Sequence, residues 1–248
     1  MESGQKVGAG SAEFGMVVLA IDTCGPTGSV ALGRFIGPSV EILGETELEG
    51  RSYSSTLVAA VGDLLKDAAV GLKDVSAIVA VHGPGSFTGV RVGLSAVKGL
   101  AEPSQIPVVA VSRLEVLAAK SGAEAAALDA HRGEVFLRMD GRAAGPNANG
   151  PKPDGPRELL VSAAELRAIN PAPAQLAVCD DAAAAILSSA WPSTELLRAA
   201  PPTAADALRL AAARVAEGAF VDLAMLDGNY LRRPDAEIFG EAAEAQRG

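Results

Sequence analysis

Apolar positions along the chain switch between a period of two and a period near 3.6. Residues 17–22 and 29–32 are short β-type runs joined by the turn residues Cys24-Gly25-Pro26-Thr27-Gly28, and residues 40–46 have the make-up of a third strand. Leu57, Val61, Leu64, Leu65 and Ala68 then recur at helical spacing with Asp63, Lys66 and Asp67 to the other side, which predicts an amphipathic helix. Residues 76–82 form a near-continuous apolar run of the kind buried on both faces of a parallel sheet, and residues 107–111 form another. Between these two runs a glycine-rich turn opens a helix over residues 87–101.

The pattern then restarts. Ser112-x-x-Glu115 predicts a capping box, residues 125–129 and 134–139 are strands around the turn His131-Arg132-Gly133, and residues 141–156 have the Gly, Pro and Asn content of an exposed loop. Ser162-x-x-Glu165 caps a helix, residues 175–179 are a short strand, an alanine-rich helix starts at Asp181, and residues 203–217 are the last helix. Two successive units of three strands followed by alternating helix and strand predict an α/β protein of two similar lobes, each a mixed sheet flanked by helices. The boundaries expected are 16–111 for the first lobe, 112–202 for the second, and 203–233 for a last helix and segment packing back toward the first lobe.

Residues 1–15 are small and polar and read as a leader ahead of Met16, while residues 234–248 read as a frayed acidic tail. The 248 residues carry a net charge of −9; leader and tail hold −1 and −3 of it, leaving −5 on the folded part. A mild negative charge argues against a chain that grips nucleic acid or an anionic membrane by itself. No apolar run reaches the ~18 residues of a membrane span. Cys24 and Cys179, with no paired-cysteine spacing, fit a reducing, cytoplasmic setting. Alanine makes up nearly a fifth of the chain, and there are only two histidines.

The most informative stretch runs from His82 to Leu94. Gly83, Gly85 and Ser86 lie where a strand feeds a helix, and free backbone N–H groups there are able to hold an anion. The spacing of Gly83, Gly85 and Gly89 is one residue too long for a dinucleotide fingerprint and no GK[ST] follows, so tight packing is favoured over a phosphate cradle. On the helix itself, Val90, Leu94, Val97 and Ala101 make one apolar stripe. Gly89, Val92, Gly93, Ala96 and Gly99 make a second face of small residues. Two readings are equally open: both faces are covered within this chain, or the small face is a partner interface with Arg91 and Lys98 as rim charges.

Chemistry-bearing groups are few. His82 and His131 stand in no metal-binding frame and no serine sits in a nucleophile elbow, so neither a catalytic residue nor a metal site is assigned. Asp22 and Asp129, each ending a first strand, are candidates to hold Mg²⁺ across a cleft, although a turn or cap aspartate is the favoured reading for both.

The strings LAIDTCGPTGSVAL, GPGSFTGVRVGLSAVKGLA and LDAHRGEVF and the late Tyr230-Leu231-Arg232 stand in the order and spacing of bacterial TsaB, also called YeaZ. The chain resembles that family over about residues 16–235, with Tyr53, Ala59 and Asn229 departing from its usual residues. The resemblance implies an actin/Hsp70/sugar-kinase-like fold of two ribonuclease H-like lobes. It also implies a non-catalytic scaffold subunit of the machinery that makes threonylcarbamoyladenosine beside the tRNA anticodon. The partners implied are the paralogue TsaD, which carries the catalysis, and the ATPase TsaE. A homodimer through first-lobe helices is also implied, and tRNA is met only through the complex. No cofactor is required on this reading, with ADP or ATP an option in the cleft, weakly supported at Asp22, Gly83, Gly85 and Ser86, or at the partner interface. The competing expectations are an independent ATPase or small-molecule kinase using the interlobe cleft and, more weakly, a metallopeptidase.

Overall fold

The computed structural model of the chain describes residues 15–50, 52–139 and 156–232. The first apolar runs become an antiparallel meander of β1 (Met16–Asp22), β2 (Thr27–Ile36) and β3 (Ser39–Glu49). The amphipathic stretch becomes α1 (Tyr53–Asp67), which buries Leu57, Val61, Leu64 and Leu65. Then follow β4 (Val75–Val81), α2 (Phe87–Ser104) and β5 (Val108–Val111), with β4 parallel to both β1 and β5. Sheet order is β3-β2-β1-β4-β5.

After α3 (Arg113–Ser121) the plan repeats with β6 (Ala126–Asp129), β7 (Glu134–Met139), β8 (Arg157–Ser162), α4 (Ala163–Ala168), β9 (Gln175–Val178), α5 (Asp181–Ala190) and β10 (Glu195–Arg198); α6 (Ala204–Ala216) ends the regular structure. The second sheet, taken from its β8 edge, runs β8-β7-β6-β9-β10, the same order and the same mix of antiparallel and parallel pairs as the first. The doubled unit is the two-lobed, actin-like α/β architecture.

Helices cover both faces of each sheet, and the period of two in the strands shows how. In the second lobe Ala127, Val135, Leu137, Leu176 and Val178 join Leu166 and Leu187 of α4 and α5 in one buried cluster. Their neighbours Ala126, Leu128, Phe136 and Ala177 join Leu114 and Leu117 of α3 in another. Adjacent residues of a strand point to opposite faces, so one sheet feeds two cores. In the first lobe Gly44 and its cross-strand partner Leu32 share the face under Leu64 of α1, while Gly33 lies beneath Leu208 of α6 on the other. Thus α6, last in the chain, closes the first sheet, and α3, which follows the first sheet, closes the second.

Three expectations change. β8 and β10 are strands that the apolar pattern did not announce. They are the two edges of the second sheet, β8 half-buried along most of its length and β10 half-buried only at its middle, and an edge strand shows no strong alternation. The box at Ser112 is incomplete: Ser112 accepts from the Leu114 amide, but Glu115 turns away to Arg214 and Arg138. The box at Ser162 with Glu165 is present, and one like it forms between Thr203 and Asp206. The tail, the leader apart from its last residue, Gly15, and the loop 141–156 apart from its last residue, Pro156, lie outside the described residues. Among the described residues no helix is long and apolar enough to cross a membrane.

The small face of α2 is also corrected. Gly89 and Gly93 are buried inside the lobe: a Cβ at Gly89 would stand 2.1 Å from the Thr23 carbonyl oxygen, and one at Gly93 would stand 2.2 Å from Thr23 Oγ1. Thr23 Oγ1 donates to the Gly89 carbonyl at 2.7 Å, pinning the end of β1 to the helix. Val92 and Ala96 are half-buried against the same core, whereas Gly99 is exposed and a Cβ there would meet nothing within 4 Å. Gly89→Ala is therefore expected to destabilise by about 1–3 kcal/mol through forced displacement of Thr23. Gly99→Ala, with the same gain in helix propensity and no obstruction, should stabilise by roughly 0.5–1 kcal/mol. Urea midpoints of the two variants check this; equal shifts of one sign would contradict it.

Candidate functional site

Between the lobes lies a cleft of about 1060 Å³. One wall is the β1–β2 turn with the start of α2, from Cys24 to Pro26 and from Gly85 to Phe87. The opposite wall is the β6–β7 turn at Asp129 to Arg132 with Phe136. The segment Asn229–Arg232 and the first residue of α3, Arg113, also line it, as do Cys179 and Asp180.

Asp22 ends β1 with its side chain 1% exposed. Its Oδ1 accepts the Cys24 amide at 2.8 Å, a local turn that the aspartate itself dictates, and its Oδ2 lies 3.4 Å from Arg113 Nε. That separation makes an ion pair, yet Nε makes no hydrogen bond to any described residue. Arg113 Nη2 packs where a Cβ at Gly25 would fall, 2.3 Å away, so the glycine is what admits the guanidinium. Burial is the largest single influence on the Arg113 guanidinium and works against its charge, but Asp22, with Cys24, Cys179 and Tyr53 after it, together outweigh burial and hold the pKa above its ordinary value. Burial first, and Asp22 second, push the Cys24 thiol well up and Tyr53 up to about 12. Both groups therefore stay protonated: Cys24 donates to the Val81 carbonyl and Tyr53 to the Gly25 carbonyl at 2.9 Å. Both cysteines are free thiols, and burial likewise raises Cys179 on the far wall.

The second-lobe carboxylates are occupied locally. Asp129 Oδ1 accepts the His131 amide at 2.8 Å, and its Oδ2 sits 2.8 Å from His131 Nδ1. Asp180 caps α5 through the Ala183 amide and accepts the Asp129 amide with its other oxygen. Asp22 and Asp129 are thus committed to turn and ion-pair roles rather than facing one another as free carboxylates.

The glycine-rich turn is spent largely on packing. A Cβ at Gly85 would stand 2.2 Å from the Cys24 carbonyl oxygen, which accepts the Ser86 amide at 2.8 Å. Ser86 caps α2 by accepting the Gly89 amide. Gly83 adopts φ +109 and packs beneath Asn229, whose amide donates to the His82 carbonyl at 2.7 Å. Of the outward residues of α2, Arg91 lies 3.9 Å above the Phe87 ring, which in turn meets Tyr230 at 5.1 Å; Lys98 borders a smaller hollow with Asp227. Arg91, Lys98 and Gly99 remain on the surface side, while Gly89 and Gly93 do not.

A polar network clamps the lobes beside the cleft. Glu158 of β8 accepts from Ser112 at 2.6 Å, from Arg138 of β7 at 3.0 Å and from the Asn229 amide group. Glu115 pairs with Arg214 of α6 and approaches Arg138 at 3.8 Å. Arg232 reaches the Ala130 carbonyl at 2.8 Å and pairs with Glu134, so the late Tyr-Leu-Arg string is a strap laid from α2 to the β6–β7 turn. Sequence reasoning missed Arg113, Glu158 and Asp180. For Arg113 a signal existed: a cation in the first turn of a helix opposes the helix dipole, so it needs another reason to be there.

Comparison with known proteins gives a consistent set of relatives. The family model described as TsaD, tRNA N6-adenosine threonylcarbamoyltransferase, matches residues 46–239. The TsaB protein of Bacillus subtilis, named for tRNA threonylcarbamoyladenosine biosynthesis, is 41% identical over 128 residues, covering 50% of this chain and 55% of that protein. The chain spans about half the length of the curated relatives it matches. Two Pseudomonas aeruginosa crystal structures match more fully. One is titled an uncharacterized protein with similarity to peptidase YeaZ (TM-score 0.68, 30% identity, 88% of this chain and 100% of that one). The other is titled YeaZ (TM-score 0.64, 28% identity, 87% and 100%).

Two outcomes follow from this geometry. Arg113→Met strands a buried carboxylate and is expected to lower stability by about 3–5 kcal/mol. Adding Asp22→Asn, which keeps an acceptor for Cys24, should recover much of that loss in urea unfolding; strictly additive losses would contradict the pairing. The second concerns His82, whose pKa is lowered by burial, so the folded state binds its proton more weakly than the unfolded state. Stability from this group is full above the ordinary histidine pKa of about 6.5 and falls as pH drops from there toward the lowered value. His82→Gln should flatten that part of the stability profile, and an unchanged acid slope would refute the assignment.

Proposed function

Because the chain belongs to the TsaB (YeaZ) family, we propose that it is a supporting subunit of bacterial tRNA threonylcarbamoyladenosine biosynthesis, without catalysis of its own. The observation that carries the supporting role is the closure of Asp22 by Arg113. The strand-end carboxylate that would have to hold a metal or activate a nucleophile is buried, turned onto the Cys24 amide and paired with a guanidinium. Asp129 and Asp180 are likewise bound into turns and caps. A kinase or ATPase reading finds no free carboxylate pair among these groups.

On this reading the chemistry belongs to a TsaD-type partner, TsaE joins the pair, tRNA is met through the complex, and the setting is the cytoplasm. The partner surface is the outer side of α1 and α2. Val58 is 63% exposed there, and Gly62 and Gly99 have open space where a Cβ would stand, so a second backbone is able to approach closely. A homodimer through the same helices would compete with that partner. Mixed with its cognate TsaD at micromolar concentration, the chain is expected to shift in size-exclusion chromatography. Val58→Asp and Gly62→Arg should weaken the complex about tenfold or more without unfolding the chain. Co-elution unaffected by both substitutions would move the interface elsewhere, and no co-elution of the wild type would sink the reading.

A further inference from the structure

A second hollow, of about 260 Å³, lies between the surface side of α2 and the segment Leu226–Tyr230. Its floor is apolar: Leu94 and Leu226 are buried beneath it, and Tyr230 borders it. Its rim is basic. Arg91 and Lys98 stand on one face of α2 with the exposed Ser95 between them, and neither has an ion pair among the described residues. One carboxylate, Asp227, also borders the hollow and accepts the amide of its neighbour Gly228 at 2.7 Å. Glu102, one turn beyond Lys98, is exposed and outside the lining.

Arg91 is held in position. Its guanidinium carbon lies 3.9 Å from the centre of the Phe87 ring and 5.9 Å from that of the Tyr230 ring. Stacking uses the face of the guanidinium and leaves its N–H donors, which lie in the plane, for a carboxylate. A side chain already fixed loses little entropy on binding. The hollow is smaller than the roughly 300–1,000 Å³ of small-molecule sites and suits one or two side chains of a peptide instead. The chemistry it selects is an acidic segment that carries a large apolar residue.

The chain carries such a segment itself. Beyond Leu231 its only large apolar residues are Ile238 and Phe239, and Asp235, Glu237, Glu241 and Glu244 surround them. The described structure ends at Arg232, two residues past Tyr230 on the border of the hollow and so within about 7 Å of it. Ile238 stands six residues further on, a span of up to about 20 Å, which is enough to turn back. A tether this short presents the segment at millimolar effective concentration, which a second copy or a separate partner would have to match in solution. We propose that residues 235–244 dock on the surface side of α2, with Ile238 or Phe239 in the hollow and their acidic neighbours on Arg91 and Lys98. This replaces the expectation of a frayed tail. Lys98 adjoins Gly99 of the proposed partner surface, so the docked segment and a partner helix would compete for this part of α2. That consequence rests on the proposed partnership, while the docking itself rests on this chain alone.

The test uses the full chain alone, dilute and at low salt, with a carbodiimide, which joins an amine only to a carboxylate in contact with it. Peptide mass spectrometry of the monomer fraction should find Lys98 joined to Glu237 or Glu241. That link should be at least about fivefold more frequent than any link from the exposed Lys66 or Lys73 to the same segment. Arg91→Gln removes the stacked cation, leaves Lys98 as the reporter, and should cut the yield about fivefold or more. Ile238→Ser with Phe239→Ser keeps every carboxylate and should cut it by a similar factor, because the apolar anchor is gone. The proposal is overturned by Lys98 links no more frequent than those of Lys66 and Lys73, or by a yield indifferent to either change. Links found only in covalent dimers would also overturn it, since they put a second copy in the hollow. TsaD is absent from this measurement, so the docking and the proposed partnership fail separately.

Discussion

A carboxylate at the end of β1 and a guanidinium at the start of α3 set the terms for the middle of this molecule. Asp22 is buried by the strands around it and by the packing of the next loop on α2, so its charge has to be met inside the protein. Arg113 meets it from the first turn of the helix that leaves the first lobe for the second. Burial first, and Asp22 second, keep Cys24 and Tyr53 as protonated, hydrogen-bonding side chains, and the guanidinium requires a glycine at position 25. The end of β1 is thereby a structural joint between the two lobes.

Around that joint the lobes are fastened by exchange of helices. α3 belongs by position to the first unit and by packing to the second, and α6 does the reverse. Glu115 with Arg214 and Lys120 with Asp206 bind these two helices to each other, while Glu158 gathers Ser112, Arg138 and Asn229 from three elements. Charge-assisted hydrogen bonds that share acceptors order several side chains at once, which suits a fixed relation between lobes. The cleft is then a built feature of defined width.

The alternating and helical apolar patterns were enough to place most of the elements, the restart of the fold near residue 125 and the tight packing role of the glycine-rich turn. They were enough because each of those features is local or repeats along the chain. β8 and β10 escaped notice, since an edge strand buries too little of either face to leave a periodic trace. The small face of α2 was legible as small, but not which glycine met Thr23 and which met solvent. A Cβ-free surface looks the same in sequence whether this chain or another one covers it.

What the sequence determined by itself is the architecture and the family, which follow from periodicity and motif. What only the tertiary structure decided is how the few charged groups were paired. Asp22 and Arg113 are far apart along the chain, and so are Ser112 and Glu158, and no local pattern records such a pairing. Whether a buried carboxylate is a ligand or a structural partner depends on which charge folding brings to it, because in a low-dielectric interior the nearest counter-charge governs its state.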